Sequence, residues 1–169
     1  MNTREQRERE RWEELPEIYV RLLKNKAGYP PKDWEQLKAE TTDNPGVFRI
    51  KNIPFYAHGV AWEDEVSVTT SEEGYYPVFK SVVKRSGYST VRLWIAKDED
   101  PQKLIDHFTK LDTFLEFDSR LVALAIPRHR FDEVSEYIFN EKQNGRWGAE
   151  DGFLIIDDPG NEAPNDGAS

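Results

Sequence analysis

The chain has 169 residues, 23 basic against 32 acidic, and a formal net charge of −9; it is long enough to bury a core without covalent staples and too acidic for general phosphate-backbone binding, which needs a basic face. It holds no cysteine, which excludes disulfides, thiolate nucleophiles and Cys-based zinc sites and makes a reducing, cytoplasmic setting the default. No apolar run nears the roughly 20 residues of a membrane span, and the amino terminus, MNTREQRERERWEEL, lacks the apolar centre of a secretory signal, so neither membrane nor nucleic acid is expected as a partner.

The first 16 residues are expected to form a charged, partly helical arm, with Arg4–Glu8 and Arg7–Glu10 at helical spacing but little to bury. Glu17 to Leu23 places Ile18, Val20 and Leu22 on one face at period two, which suggests a strand, although Tyr19, Leu22 and Leu23 also fall at helical spacing. Gly28-Tyr29-Pro30-Pro31 reads as a turn, and a short helix is expected from about Lys32 to Glu40 with Trp34 and Leu37 on one side.

Asn44-Pro45-Gly46 breaks the chain before a strand at Val47, Phe48 and Ile50. Asn52 to Gly59 bends out of regular pairing, Val66 and Val68 alternate with polar residues, and Ser71 to Gly74 predicts a hairpin turn with glycine at positive φ. Tyr75 to Val83 returns, with Pro77 placing it at an edge or bulge. Ser89 to Ala96 is a further strand.

Beyond it the rhythm becomes helix, strand, strand, helix, strand. Asp100-Pro101 is an N-cap followed by proline at the first helical position, with Leu104, Ile105, Phe108 and Leu111 as the buried stripe. Thr113–Phe117 and Leu121–Ile126 form a hairpin; Phe131, Val134 and Ile138 mark a second helix closed by Asn144-Gly145; Phe153–Ile156 is the last strand. The fold class expected is therefore α+β: a β-rich amino-terminal half (residues 17–87) with one short helix, packed on a ferredoxin-like βαββαβ half (residues 88–156), then an acidic tail (157–169) with nothing to bury. Residues 147–169 hold six acidic and no basic side chains.

Candidate chemistry is sparse. Of three histidines, His107 reads as a surface residue and His129 sits in Arg128-His129-Arg130 before a helix. His58, in the irregular PFYAHG bend, is the best candidate for acid–base work, with Asp64 as its partner, although a structural histidine is the simpler reading. No histidine pair has metal-ligand spacing, Glu63-Asp64-Glu65 are consecutive so that Asp64 points away from its neighbours, and SGYST lacks the lysine of a phosphate loop. No metal or cofactor is expected. Trp62, Tyr75 and Tyr76 lie in or beside turns next to Glu63, Asp64, Glu65, Glu72 and Glu73, a composition suited to docking a basic protein.

The segment GVFRIKNIPFYAHGVAWEDEVSV followed by SGYSTVRL resembles a bacterial family, domain of unknown function 4265. Ile53, Pro54, Phe55, Tyr56, Ala57, Gly59, Val60, Ala61, Asp64 and Val66, then Ser86, Gly87, Ser89, Thr90, Val91 and Arg92, carry the likeness, and Glu63 stands where a glycine is expected. The resemblance spans roughly residues 17–156, implies a bacterial origin and transfers no catalytic residues. The function expected is a non-enzymatic protein-binding module, most concretely an immunity or antitoxin-like inhibitor of a basic toxin. A small-ligand site between the halves, lined by Tyr56, His58, Asp64, Ser86 and Arg92, is the alternative.

Overall fold

The structure is a computed structural model and describes residues 3–155; the expected acidic tail, residues 157–169, lies outside the described residues, as does Ile156. Helix α1 (Thr3–Glu13) buries none of its side chains and carries Arg4–Glu8 and Arg9–Glu13 ion pairs. Such exposed pairs stabilise a helix by only a few tenths of a kcal/mol each, about 0.3–0.5.

Five strands follow: β1 (Glu17–Arg21), β2 (Trp34–Thr41), β3 (Val47–Ile50), β4 (Glu65–Thr70) and β5 (Pro77–Lys84). They pair in chain order, and a parallel contact of Tyr19 with Val78 joins β5 back to β1 and closes a barrel. Ile18, Val20, Leu37, Ala39, Ile50 and Val66 fill it. Alternation explains the selection, since every second side chain of a strand faces the same way. Gly74, at φ +78, takes the left-handed position in the β4–β5 turn.

The short helix expected over Lys32–Glu40 is not formed. Those residues build β2, whose alternating burial puts Glu35, Leu37 and Ala39 inside and Trp34 and Gln36 outside. A charged residue at an inward position hid the alternation, and pairing with β1 from Glu17–Lys38 to Arg21–Trp34 satisfies a backbone that an isolated helix of this length would leave marginal.

The carboxyl-terminal half comprises β6 (Tyr88–Trp94), α2 (Pro101–Thr109), β7 (Phe114–Asp118), β8 (Leu121–Pro127), α3 (Phe131–Gln143) and β9 (Gly148–Phe153). Its antiparallel sheet has the order β7-β8-β6-β9. Asp100 caps α2 by accepting a hydrogen bond from the Gln102 N–H at 2.9 Å. Leu104 and Phe108 of α2 and Phe131, Val134 and Ile138 of α3 pack with Val91, Leu93, Val122, Leu124 and Ile126 in one core, so both helices cover the same sheet face.

The last strand runs earlier than the Phe153–Ile156 expected. Its residues, GAEDGF, have weak strand preference, and pairing with β6 from Trp94–Gly148 to Thr90–Phe153 places them. His107 is also less exposed than expected. Its ring stacks on Tyr137 at 4.0 Å, its Nε2 is buried without a hydrogen-bond partner, and burial, with Arg146 adding to it, holds its pKa below the ordinary histidine value.

The opposite sheet face receives the β3–β4 loop, residues 51–64. Strand β8, LVALAIP, is buried along its whole length. Its larger residues Val122, Leu124 and Ile126 join the helices, whereas Ala123 and Ala125 lie under Ile53, Phe55, Trp62 and Tyr88. The small alanine side chains let the loop backbone approach the sheet closely. The same loop sends Ala57 and Val60 into the barrel core.

Candidate functional site

Residues 53–64 lie between charged side chains of both halves. From β2, the Glu35 carboxylate, 8% exposed, accepts hydrogen bonds from the backbone N–H groups of Phe55 (2.6 Å), Tyr56 (3.0 Å) and Ala57 (2.7 Å). From β6, Arg92 donates through Nε to the Pro54 carbonyl at 3.3 Å and through Nη2 to the Ala57 carbonyl. The loop's donors thus meet an anion and its acceptors a cation, the polarity each prefers. From β7, Glu116 accepts from the Ile53 N–H at 2.6 Å.

Arg92 is the largest fully buried side chain, 0% exposed. Its strand neighbour Glu150 on β9 lies 3.5 Å from Nη1, an ion-pair distance without hydrogen-bond geometry. Burial lowers the Arg92 pKa, and Glu150 and Glu35 act against that. Buried charge of this kind persists only when paired. A Cβ on Gly152 would stand 3.1 Å from the guanidinium, so glycine supplies the space that Arg92 occupies.

Asp64 ends the loop with no solvent exposure. Its Oδ2 accepts from the Ala61 N–H at 2.9 Å and from Arg85 at 3.0 Å, and its Oδ1 from the Ser86 N–H at 2.8 Å. Burial raises its pKa while the Ser86 and Ala61 amides and Arg85 oppose the rise. Ser86 Oγ donates to the Trp62 carbonyl at 2.6 Å, Arg85 also donates to the Gly59 carbonyl at 2.8 Å, and its guanidinium stacks on Phe153 at 3.8 Å.

The sequence candidates therefore fall into separate groups. Asp64, Ser86 and Arg92 secure the loop. Tyr56 contributes its amide to Glu35 and its half-buried ring to the barrel core. His58 is exposed and lies 3.1 Å from Glu150, while Asp64 is occupied elsewhere, so the expected acid–base pair is not assembled. Glu63 pairs with Lys51 and Glu65 with Arg49 at 2.9 Å, taking both out of a free acidic patch. Trp62 packs edge-on against Tyr88 at 4.9 Å and tilted against Phe114 at 4.8 Å. Tyr75, 79% exposed, and Tyr76, 44% exposed, remain available on the β4–β5 hairpin. Among the described residues, no group of three or more His, Asp or Glu side chains is placed to hold a metal ion.

Glu35, Glu116, Arg85 and Glu150 escaped the sequence reading. Glu35 and Glu116 are ordinary charged residues in strand-length segments, and only the folded loop shows what they hold. Tyr19 and Trp34, which flank Tyr76 on the barrel surface, were read only for secondary structure.

Residues 35–149 match a family described as Domain of unknown function (DUF4265). That span includes Glu35, Asp64, Arg92 and Glu116. Among solved structures, a hypothetical protein from Neisseria gonorrhoeae is similar, with a TM-score of 0.70 and 15% sequence identity over 83% of this chain and 95% of that one. At that identity the likeness is one of fold. No curated protein matches the chain.

Proposed function

The chain belongs to the family described as Domain of unknown function (DUF4265), and within it we propose a non-enzymatic protein-binding module for a basic partner, in its most concrete form an immunity or antitoxin-like inhibitor that masks a basic bacterial toxin domain in the cytoplasm. The observation that carries this reading is the β4–β5 hairpin. It presents Tyr75 and Tyr76 beside exposed Glu72 and Glu73, which enter no ion pair among the described residues. Exposed aromatic anchors next to unspent carboxylates suit association with a cationic surface. By contrast, Asp64, Ser86 and Arg92 are engaged by loop backbone groups, with Arg85 also on Asp64 and Glu150 beside Arg92.

The order β7-β8-β6-β9 with both helices on one face supports reading the carboxyl-terminal half as ferredoxin-like. That fold hosts unrelated functions and adds no argument for an activity. The test of the binding reading is to mix the purified chain with the basic domain encoded nearest to it in the genome. A one-to-one complex that salt weakens and that Tyr75→Ala with Tyr76→Ala abolishes is expected; absence of a complex, or one indifferent to both changes, refutes it.

A second reading, a small-ligand site between the halves, is favoured by two buried polar atoms without hydrogen-bond partners, Tyr29 Oη and Arg92 Nη1. Thermal-shift screening with metabolites and nucleotides tests it, and failure of every compound to stabilise the protein counts against it.

A further inference from the structure

The outer surface of β1, β2 and β5 carries a groove of about 450 Å3 lined by Tyr19, Trp34, Gln36, Glu73, Tyr76 and Val78. Strand register explains the grouping: Tyr19 lies opposite both Gln36 and Val78, and Arg21 opposite Trp34. The Tyr19 and Tyr76 rings stand 4.9 Å apart at a 41° tilt, so they form a ledge rather than a sealed stack. The side-chain donors of Tyr19, Trp34, Gln36 and Tyr76 make no hydrogen bond among the described residues.

Resting on the protein-binding reading, we propose that this groove takes an extended, proline-rich segment of the partner with a lysine or arginine at one end. Three features select that occupant. Strand β1 pairs with β2 along its length and meets β5 at Tyr19–Val78, so the barrel is closed beneath the groove and presents no sheet edge there for strand addition. An amphipathic helix needs an apolar trough, whereas Tyr19, Gln36, Tyr76 and Trp34 offer polar donors beside their flat faces. A polyproline II segment has no internal hydrogen bonds and presents unpaired carbonyls together with apolar rings, which matches donors set on aromatic ledges.

Charge fixes the orientation. Glu73 lines one end of the groove beside the exposed Glu72. At the other, Arg21 lies over the Trp34 ring at 5.3 Å. The basic residue of the segment belongs at the glutamate end, where the potential is complementary.

The experiment titrates the full chain with a synthetic proline-rich peptide bearing a terminal arginine, by calorimetry and amide chemical-shift mapping. The control is a peptide of equal charge with its prolines replaced by glycine. Saturable binding that shifts the amides of β1, β2 and the hairpin, and a loss of about tenfold for Tyr19→Ala or Tyr76→Ala in variants with unchanged unfolding curves, are expected. Glu72→Gln with Glu73→Gln should remove most of the salt dependence. Equal binding of the glycine control, shifts centred elsewhere, or no binding overturns the proposal. If the toxin-domain complex forms and depends on Tyr75 and Tyr76 while the peptide does not bind, only this inference falls; if neither binds, the protein-binding reading falls with it.

Discussion

Replacing Glu116 with glutamine should make the protein more stable at neutral pH, with a size set by pH. The carboxyl sits beneath the β3–β4 loop, where burial, with a smaller contribution from Glu35 on β2, raises its pKa from 4.5 to about 7 against the opposing Ile53 N–H. In the folded chain it keeps its proton up to about pH 7; in the unfolded chain it releases it near 4.5. Between those values the native state binds more protons, so stability falls as pH rises, at about 1.4 kcal/mol per pH unit. A gap of about 2.5 pH units makes the full loss at most about 3 kcal/mol, complete above pH 7.

Glutamine keeps an oxygen that can accept from the Ile53 N–H and has no charge to bury. Glu116→Gln should therefore match the natural chain below pH 4.5 and exceed it by up to about 3 kcal/mol at pH 8, roughly 10 °C in Tm for a chain of this size. Asp64, raised by burial, and His107, lowered by it, contribute slopes of opposite sign, and both cancel in the difference between the two proteins. Urea unfolding of both proteins from pH 4 to 8 is the assay. A stability difference that stays flat across that range would show that Glu116 ionises normally and sink the argument.

Arg92→Leu should destabilise the fold by about 3–5 kcal/mol, because it strands the carbonyls of Pro54 and Ala57 and removes the buried cation beside Glu150; chemical denaturation checks this, and a loss under about 1 kcal/mol contradicts the loop's dependence on it. Gly152→Ala should cost about 1–3 kcal/mol through crowding of the guanidinium at 3.1 Å, read as a lowered Tm with an unchanged circular dichroism spectrum. Glu63 occupies the left-handed region at φ 66, so Glu63→Val should cost about 1–3 kcal/mol in a urea titration. Glu63→Gly should change stability by less than about 1 kcal/mol, because the relief of backbone strain offsets the lost pairing with Lys51.

Elements whose side chains repeat regularly were legible. The α2 cap and stripe, the α3 stripe, the continuous apolar run of β8 and the glycine of the β4–β5 turn each follow from residues within one short window. The two misplaced elements share a cause. Strand β2 carries a buried glutamate where an apolar residue would have declared its period, and β9 is built of weak strand formers placed by the strand beside them. In the candidate site, Asp64 was expected as the partner of His58, and Ser86 and Arg92 as lining residues of a ligand site between the halves. Their roles were hidden because the groups they hold are backbone amides and carbonyls, which every residue type possesses.

The sequence by itself determined the α+β class, the change of rhythm near Ser89, the acidic balance and the absence of thiol chemistry, because these rest on composition and on side-chain periodicity over a few residues. The tertiary structure alone decided that the first five strands close into a barrel, that the β3–β4 loop lies between Glu35 and Arg92, and that Tyr19, Trp34 and Tyr76 share one groove. Each of those joins residues distant along the chain, and their pairing is set by hydrogen-bond register and by the burial of charge, neither of which leaves a local signature in the sequence.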